Sequence, residues 1–129
     1  MRLLSPFSGL SRVVNPRIRS LARVRPPLAL LHHEGRRTGR PYETPVQAYR
    51  TATGFVVGLA YGHDADWARN ILATGRGQIT YGRRRYSLSH PRRRGPEARG
   101  DLPAPASAMM RVLGIDDFVE FDATLMGDT

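Results

Sequence analysis

Leu28-Ala29-Leu30-Leu31-His32-His33-Glu34, then Gly35-Arg36-Arg37-Thr38-Gly39-Arg40-Pro41, then Thr44-Pro45-Val46-Gln47-Ala48-Tyr49-Arg50, is two apolar runs of strand length joined by a loop of turn residues and charge. Such a pattern reads as an antiparallel pair rather than as a helix. Moving outward, Thr53-Gly54 turns the chain into a third strand, Phe55 to Ala60. Arg76 to Tyr81 and Arg84 to His90 form a hairpin about Gly82. Between them, Asp64 to Thr74 has acidic residues in its first turn and Gly75 just past its end, the signature of a helix with a glycine stop. Trp67 and Ile71 share one face of it. Strands interrupted by one helix predict a mainly β (α+β) chain, a small barrel bridged by that helix.

The flanks are less regular. Met1 to Pro27 mixes short apolar clusters with arginines and is cut by Pro6, Pro16 and Pro26-Pro27, so it reads as a basic arm with one short amphipathic helix between Pro16 and Arg25. Residues 28–129 then form the barrel domain. Arg92-Arg93-Arg94-Gly95-Pro96 reads as an exposed basic connector, Ser107 to Leu113 as a second helix, and Ile115 to Phe121 as an apolar segment of ambiguous type.

A chain of 129 residues with 40% apolar side chains suffices for one core. No apolar stretch reaches the ~18 residues of a membrane span, and the N-terminus lacks the unbroken apolar core of a secretory signal. Cysteine is absent, which removes disulfides, thiol nucleophiles, Fe–S clusters and Cys-type zinc sites and makes a reducing cytoplasm the expected compartment. The net charge of +9 calls for an anionic partner. The arm can touch an anionic membrane surface through its basic helix.

The loop Gly35 to Pro41 carries the chemistry. Two glycines permit backbone turns that aim N–H groups into a concave nest, Thr38 adds a hydroxyl, and guanidiniums grip phosphate oxygens in pairs. It is neither a Walker loop nor a dinucleotide fingerprint, and an ordinary charged hairpin loop has the same composition. His32 and His33 point to opposite faces of one strand and cannot readily share a metal. His63, Asp64 and Asp66 are explained by charge complementarity at a helix N-terminus, so no metal is expected.

Three segments taken together, His33-Glu34-Gly35-Arg36-Arg37-Thr38-Gly39-Arg40-Pro41-Tyr42-Glu43-Thr44-Pro45-Val46, Phe55-Val56-Val57-Gly58-Leu59-Ala60-Tyr61-Gly62 and Asp66-Trp67-Ala68-Arg69-Asn70-Ile71-Leu72-Ala73, resemble the deazaflavin (coenzyme F-420)-dependent nitroreductase/oxidoreductase family. The resemblance rests on a Gly-Arg-Arg-Thr-Gly loop, a following Thr-Pro and a Trp-x-x-Asn helix, in order and at compatible spacing. It implies a split β-barrel of the flavin-reductase/FMN-binding-like type, with coenzyme F-420 as cofactor and FMN as the alternative. By the same resemblance Arg36, Arg37, Thr38 and Gly39 would hold the coenzyme's phosphate and acidic tail, with Thr44, Pro45 and Val46 lining the groove. Leu59, Ala60, Tyr61 and Gly62 would run beside the ring, and Trp67 and Asn70 would close the pocket, although a lone Trp on an amphipathic helix also packs inward.

The implied reaction is hydride transfer to an activated double bond or nitro-type small molecule. Ala60 stands where some members carry a hydroxyl, which leaves Tyr61 as the nearest proton donor, and Glu43 puts a carboxylate where it would repel an acidic tail. No tyrosine follows Asp101, so the substrate of the best-known members is not carried over. Two other readings compete: a barrel that binds F-420, a flavin or a tetrapyrrole without turnover, and a nucleic-acid surface built from Arg83-Arg84-Arg85, Arg92-Arg93-Arg94, Tyr81 and Tyr86. No specific nucleic-acid motif is present. A homodimer is expected insofar as a partner would cover an open sheet edge.

Overall fold

The alternation that begins at Leu28 resolves into six strands in the computed structural model, which describes residues 26–59 and 65–128. These are β1 (Leu28–Glu34), β2 (Pro41–Arg50), β3 (Gly54–Gly58), β4 (Arg76–Tyr81), β5 (Arg84–Arg94) and β6 (Phe118–Asp128). Two helices, α1 (Asp66–Thr74) and α2 (Ala104–Val112), and a 3-10 helix, Pro96–Asp101, complete the order. The strands close into a barrel in the order β1-β2-β3-β6-β5-β4, every pair antiparallel.

Side chains two apart along each strand fill the interior: Ala29 and Leu31, Val46 and Ala48, Phe55 and Val57, Val119 and Phe121. Trp67, Ala68 and Ile71 of α1 join this core. Each large apolar side chain so buried contributes roughly 2 kcal/mol, which is what fixes α1 against the barrel. Gly75 ends α1 at φ 75°, its N–H donating to the Ile71 carbonyl at 2.8 Å. A second core lies outside the barrel wall, where Val56 and Phe118 are covered by Ala98, Leu102, Met110 and Ile115.

Several boundaries depart from expectation. The first loop is shorter, because Pro41, Tyr42 and Glu43 already pair with β1. The third strand ends at Gly58 rather than at Ala60, which lies outside the described residues. The C-terminal helix starts at Ala104, with Pro105 in its first turn, where proline has no N–H to lose. The ambiguous segment after Ile115 becomes β6 from Phe118 onward and closes the barrel between β3 and β5.

The largest correction concerns Arg92-Arg93-Arg94, which is strand rather than exposed connector. An irregularity between Ser89 and Arg92, with His90 at φ 50°, realigns β5 so that Arg92, Arg93 and Arg94 pair with Glu120, Val119 and Phe118. Arg92 donates to the Glu120 carboxylate at 3.0 Å and to Asp122 at 3.3 Å. Arg94 donates to the other Glu120 oxygen and reaches Asp101 at 3.3 Å. The arginines are thus strand residues because their acids lie on the neighbouring strand, far off in sequence. The arm helix between Pro16 and Arg25 lies outside the described residues.

Candidate functional site

The β1–β2 loop is held by its own backbone. The Gly35 N–H donates to the Arg40 carbonyl at 2.8 Å, and the Gly39 N–H to the Gly35 carbonyl at 2.9 Å. The Arg40 N–H donates to Thr38 Oγ1 at 3.2 Å. Gly39 takes φ 72°, a conformation a side chain strains. At Gly35 a Cβ would come within 2.8 Å of Thr38 Oγ1 and 3.2 Å of a Tyr42 ring carbon, so a larger residue there would push the Thr38 and Tyr42 side chains aside.

Between this loop and the start of α1 lies a groove of about 200 Å³, lined by His33, Gly35, Arg36, Arg37, Thr38, Tyr42, Asp66 and Asn70. Pockets that enclose a drug-sized molecule run from about 300 Å³ upward. This one takes a charged end rather than a whole tricyclic cofactor with its tail. Among the described residues, the exposed Arg37 and Arg40 make no side-chain hydrogen bond or ion pair. Two guanidiniums free to engage a ligand, in the same loop as the Thr38 hydroxyl, suit a phosphate or carboxylate. The residues present therefore fit the phosphodiester and acidic tail of a deazaflavin coenzyme.

Arg36 is held differently. Asn70 Oδ1, on buried α1, accepts both the Arg36 backbone N–H at 3.1 Å and its guanidinium at 2.7 Å, which fastens the loop to the helix. Asp66 stands 4.0 Å from the same guanidinium. The other end of the Asn70 amide meets His33 Nδ1 at 3.1 Å, and His33 Nε2 meets Thr44 Oγ1 at 2.9 Å. Burial pushes the His33 pKa down to about 4, opposed by the Asp66 carboxylate and aided by His32, so at neutral pH the ring carries one proton.

Of the residues expected at the site, Arg36, Arg37, Thr38 and Asn70 come together here, while Gly39 lies in the same loop outside the lining. Thr44 is one hydrogen bond behind the groove, through His33. Val46 points into the barrel core, and the strand alternation turns Pro45 to the other face. Leu59 is a core residue whose N–H donates to the Asp117 carbonyl at 2.9 Å, so that amide is already used. Trp67 is 4% exposed within the core and packs inward instead of closing the groove. Ala60, Tyr61 and Gly62 lie outside the described residues, as do His63 and Asp64.

Glu43 does not face the groove. Its carboxylate lies 3.2 Å from His32 Nδ1, on the opposite face of the sheet from His33, which removes the repulsion expected of it. His33 itself, with Tyr42 and Asp66, was missed as a site residue. The signal was present: position 33 shares the strand face of Ala29 and Leu31, and a histidine on a core face needs partners. Among the described residues, no three His, Asp or Glu side chains gather as a metal site.

Several of the residues grouped as a nucleic-acid surface have partners within the fold. Tyr86 is buried against Phe55, ring centroids 5.2 Å apart, with its hydroxyl accepting from Arg50 at 2.7 Å, and Tyr81 packs on Phe55 at 5.0 Å. The Tyr86 ring is buried, whereas Tyr81 is half-buried. Arg85 donates to Gln78 and touches His32, and Arg92 and Arg94 are committed to acids.

A family model described as F420H(2)-dependent quinone reductase matches residues 12–98. One solved structure is similar over 96% of this chain and 86% of that chain, at a TM-score of 0.53 and 19% identity. Another, the protein Atu2129 of unknown function from Agrobacterium tumefaciens, is similar over 92% of this chain and 59% of its own, with a TM-score of 0.49 and 19% identity. At that identity the first likeness is one of fold. No curated protein matches the chain.

Proposed function

We propose, from the premise that the chain belongs to the F420H(2)-dependent quinone reductase family and so works with coenzyme F-420, that it is an oxidoreductase which reduces a quinone-type acceptor and anchors the coenzyme by its anionic end in the β1–β2 groove. The observation that carries the anchoring is the uncommitted guanidinium of Arg37 in the lining of a groove of about 200 Å³, with a second, that of Arg40, in the same loop. A quinone is a conjugated acceptor of the activated-double-bond class, and the family description favours it over a nitro compound.

The coenzyme supplies a hydride from its reduced deazaflavin ring when bound. The chain's own residues do the rest. Arg37, Arg40 and the Thr38 hydroxyl bind the phosphate and carboxylates, and Arg36 adds a third cation. The closed apolar core behind the groove gives these groups a rigid base, and preorganised charge costs little to reorganise on binding. Tyr61, in the segment outside the described residues, is proposed to hold the proton that the acceptor takes up on reduction.

Titration of the protein with oxidised coenzyme F-420, followed by fluorescence beside FMN, tests the anchoring. Arg37→Ala is expected to weaken F-420 binding about tenfold, the usual effect of losing one charge-assisted bond. With reduced coenzyme, a soluble benzoquinone should then be consumed faster than a nitroaromatic. Equal F-420 affinity in the variant would refute the groove assignment, and coenzyme binding without oxidation by either acceptor would leave a carrier instead of an enzyme.

A further inference from the structure

The Asn70 amide has only one workable orientation. Two donors from Arg36 converge on its oxygen, at 3.1 and 2.7 Å, so its NH2 end must face His33 Nδ1, 3.1 Å away. That nitrogen therefore accepts, which places the ring proton on Nε2, where it donates to Thr44 Oγ1 at 2.9 Å. Each link leaves the next one choice, from the β2 hydroxyl to the groove cation. The ring is 5% exposed and tilted at 31° against Tyr42, centroids 5.7 Å apart, so it cannot swing out. The groups facing it are Thr44 and Tyr42 from β2 and Asn70 and Asp66 from α1, while His32, on the opposite face of the same strand, acts on it only through charge.

A purely apolar residue would fill the same space. Without an acceptor at the Nδ1 position, the NH2 of Asn70, a residue 4% exposed, is left buried without its partner, which favours the side chain turning away from its place beside Arg36. Arg36 would then lose its tether, with the Asp66 carboxylate 4.0 Å away as its nearest alternative, and a guanidinium neutralised by an acid is a weaker anion ligand. We infer that His33 is a positioning residue for the anion groove: its unprotonated Nδ1 fixes the Asn70 amide so that Arg36 is held for an incoming phosphate or carboxylate.

The inference rests on the reading of the groove as the coenzyme's anion site, and the experiment separates the two. Oxidised coenzyme F-420 is titrated by fluorescence into the native protein and into the Arg36→Ala, Arg37→Ala, His33→Leu and His33→Asn variants and the His33→Leu/Arg36→Ala double variant. His33→Leu and Arg36→Ala are each expected to weaken binding about tenfold. The double variant should be no weaker than Arg36→Ala alone, because His33 acts only through Arg36. His33→Asn, whose amide oxygen can stand where Nδ1 stood, should recover most of the loss.

Additive losses in the double variant, or an Asn variant as weak as the Leu variant, would overturn the inference. Native affinity in His33→Leu beside weak binding in Arg37→Ala would overturn it while leaving the groove reading intact. Native affinity in both would overturn the groove reading and the inference with it. Nitrogen-15 NMR of the native imidazole needs no ligand and no variant fold: a bare Nδ1 and a protonated Nε2 are expected, and a proton on Nδ1 contradicts the mechanism outright.

Discussion

His33 links one buried ring to the stability of the whole chain. Its folded pKa of about 4 lies below the ordinary 6.5, because burial disfavours the charged form. As pH falls below 6.5 the unfolded chain takes up a proton that the folded chain refuses, so this residue's contribution is present above 6.5 and is lost down to about 4. The gap corresponds to about 3 kcal/mol. Urea denaturation at pH 7 and pH 4 should show the native protein losing about that much more stability than His33→Leu. Equal losses would mean that His33 is protonated without penalty in the fold.

At the scale of elements, the β5–β6 pairing depends on charge as well as on the ladder. Glu120, 8% exposed, receives both Arg92 and Arg94, and each arginine keeps a second acid, Asp122 or Asp101. Glu120→Ala should therefore cost about 1–3 kcal/mol, the range for losing hydrogen bonds between charged groups, by urea denaturation, with Glu120→Gln in between. No change on removing the carboxylate would show that the second acids carry the pairing alone.

The β3–β6 closure makes a different demand, since a Cβ on Gly54 would run into the Phe121 carbonyl and lie 2.9 Å from the Ala123 nitrogen. Backbone cannot give way as a side chain can. Gly54→Ala is expected to destabilise by about 3 kcal/mol, and an unchanged urea midpoint would mean that the strands separate there without penalty.

For the whole molecule, the charge of +9 guarantees some attraction to polyanions, and the question is of what kind. Arg85, Arg92 and Arg94 are engaged within the fold, and Tyr86 is buried. DNA binding followed by anisotropy is therefore expected to be weak and to fall by orders of magnitude between ~50 and 200 mM salt. Coenzyme binding, with far fewer ionic contacts, should fall much less. DNA affinity that persists at the higher salt would favour a nucleic-acid site. No helix among the described residues is long and apolar enough to cross a membrane.

By itself the sequence determined what depends on neighbours in the chain. The strands 28–34 and 76–81, the Gly82 hairpin, the Gly75 stop and the glycine-bracketed arginine loop were legible, because period-two alternation and turn chemistry are local. The resemblance of three short segments added the coenzyme. The tertiary structure decided what depends on residues far apart. Arg92 to Arg94 read as a solvated run until Glu120 and Asp122 arrived on the adjacent strand, and Ile115 to Phe121 had no clear type until β6 closed the barrel. Trp67 pointed to the core only once the barrel interior stood beside α1. His33 gained its partners from Thr44, 11 positions on, and Asn70, 37 positions on. A buried polar side chain is specified by whoever satisfies it, and that partner is a property of the packed chain, not of the stretch in which the residue lies.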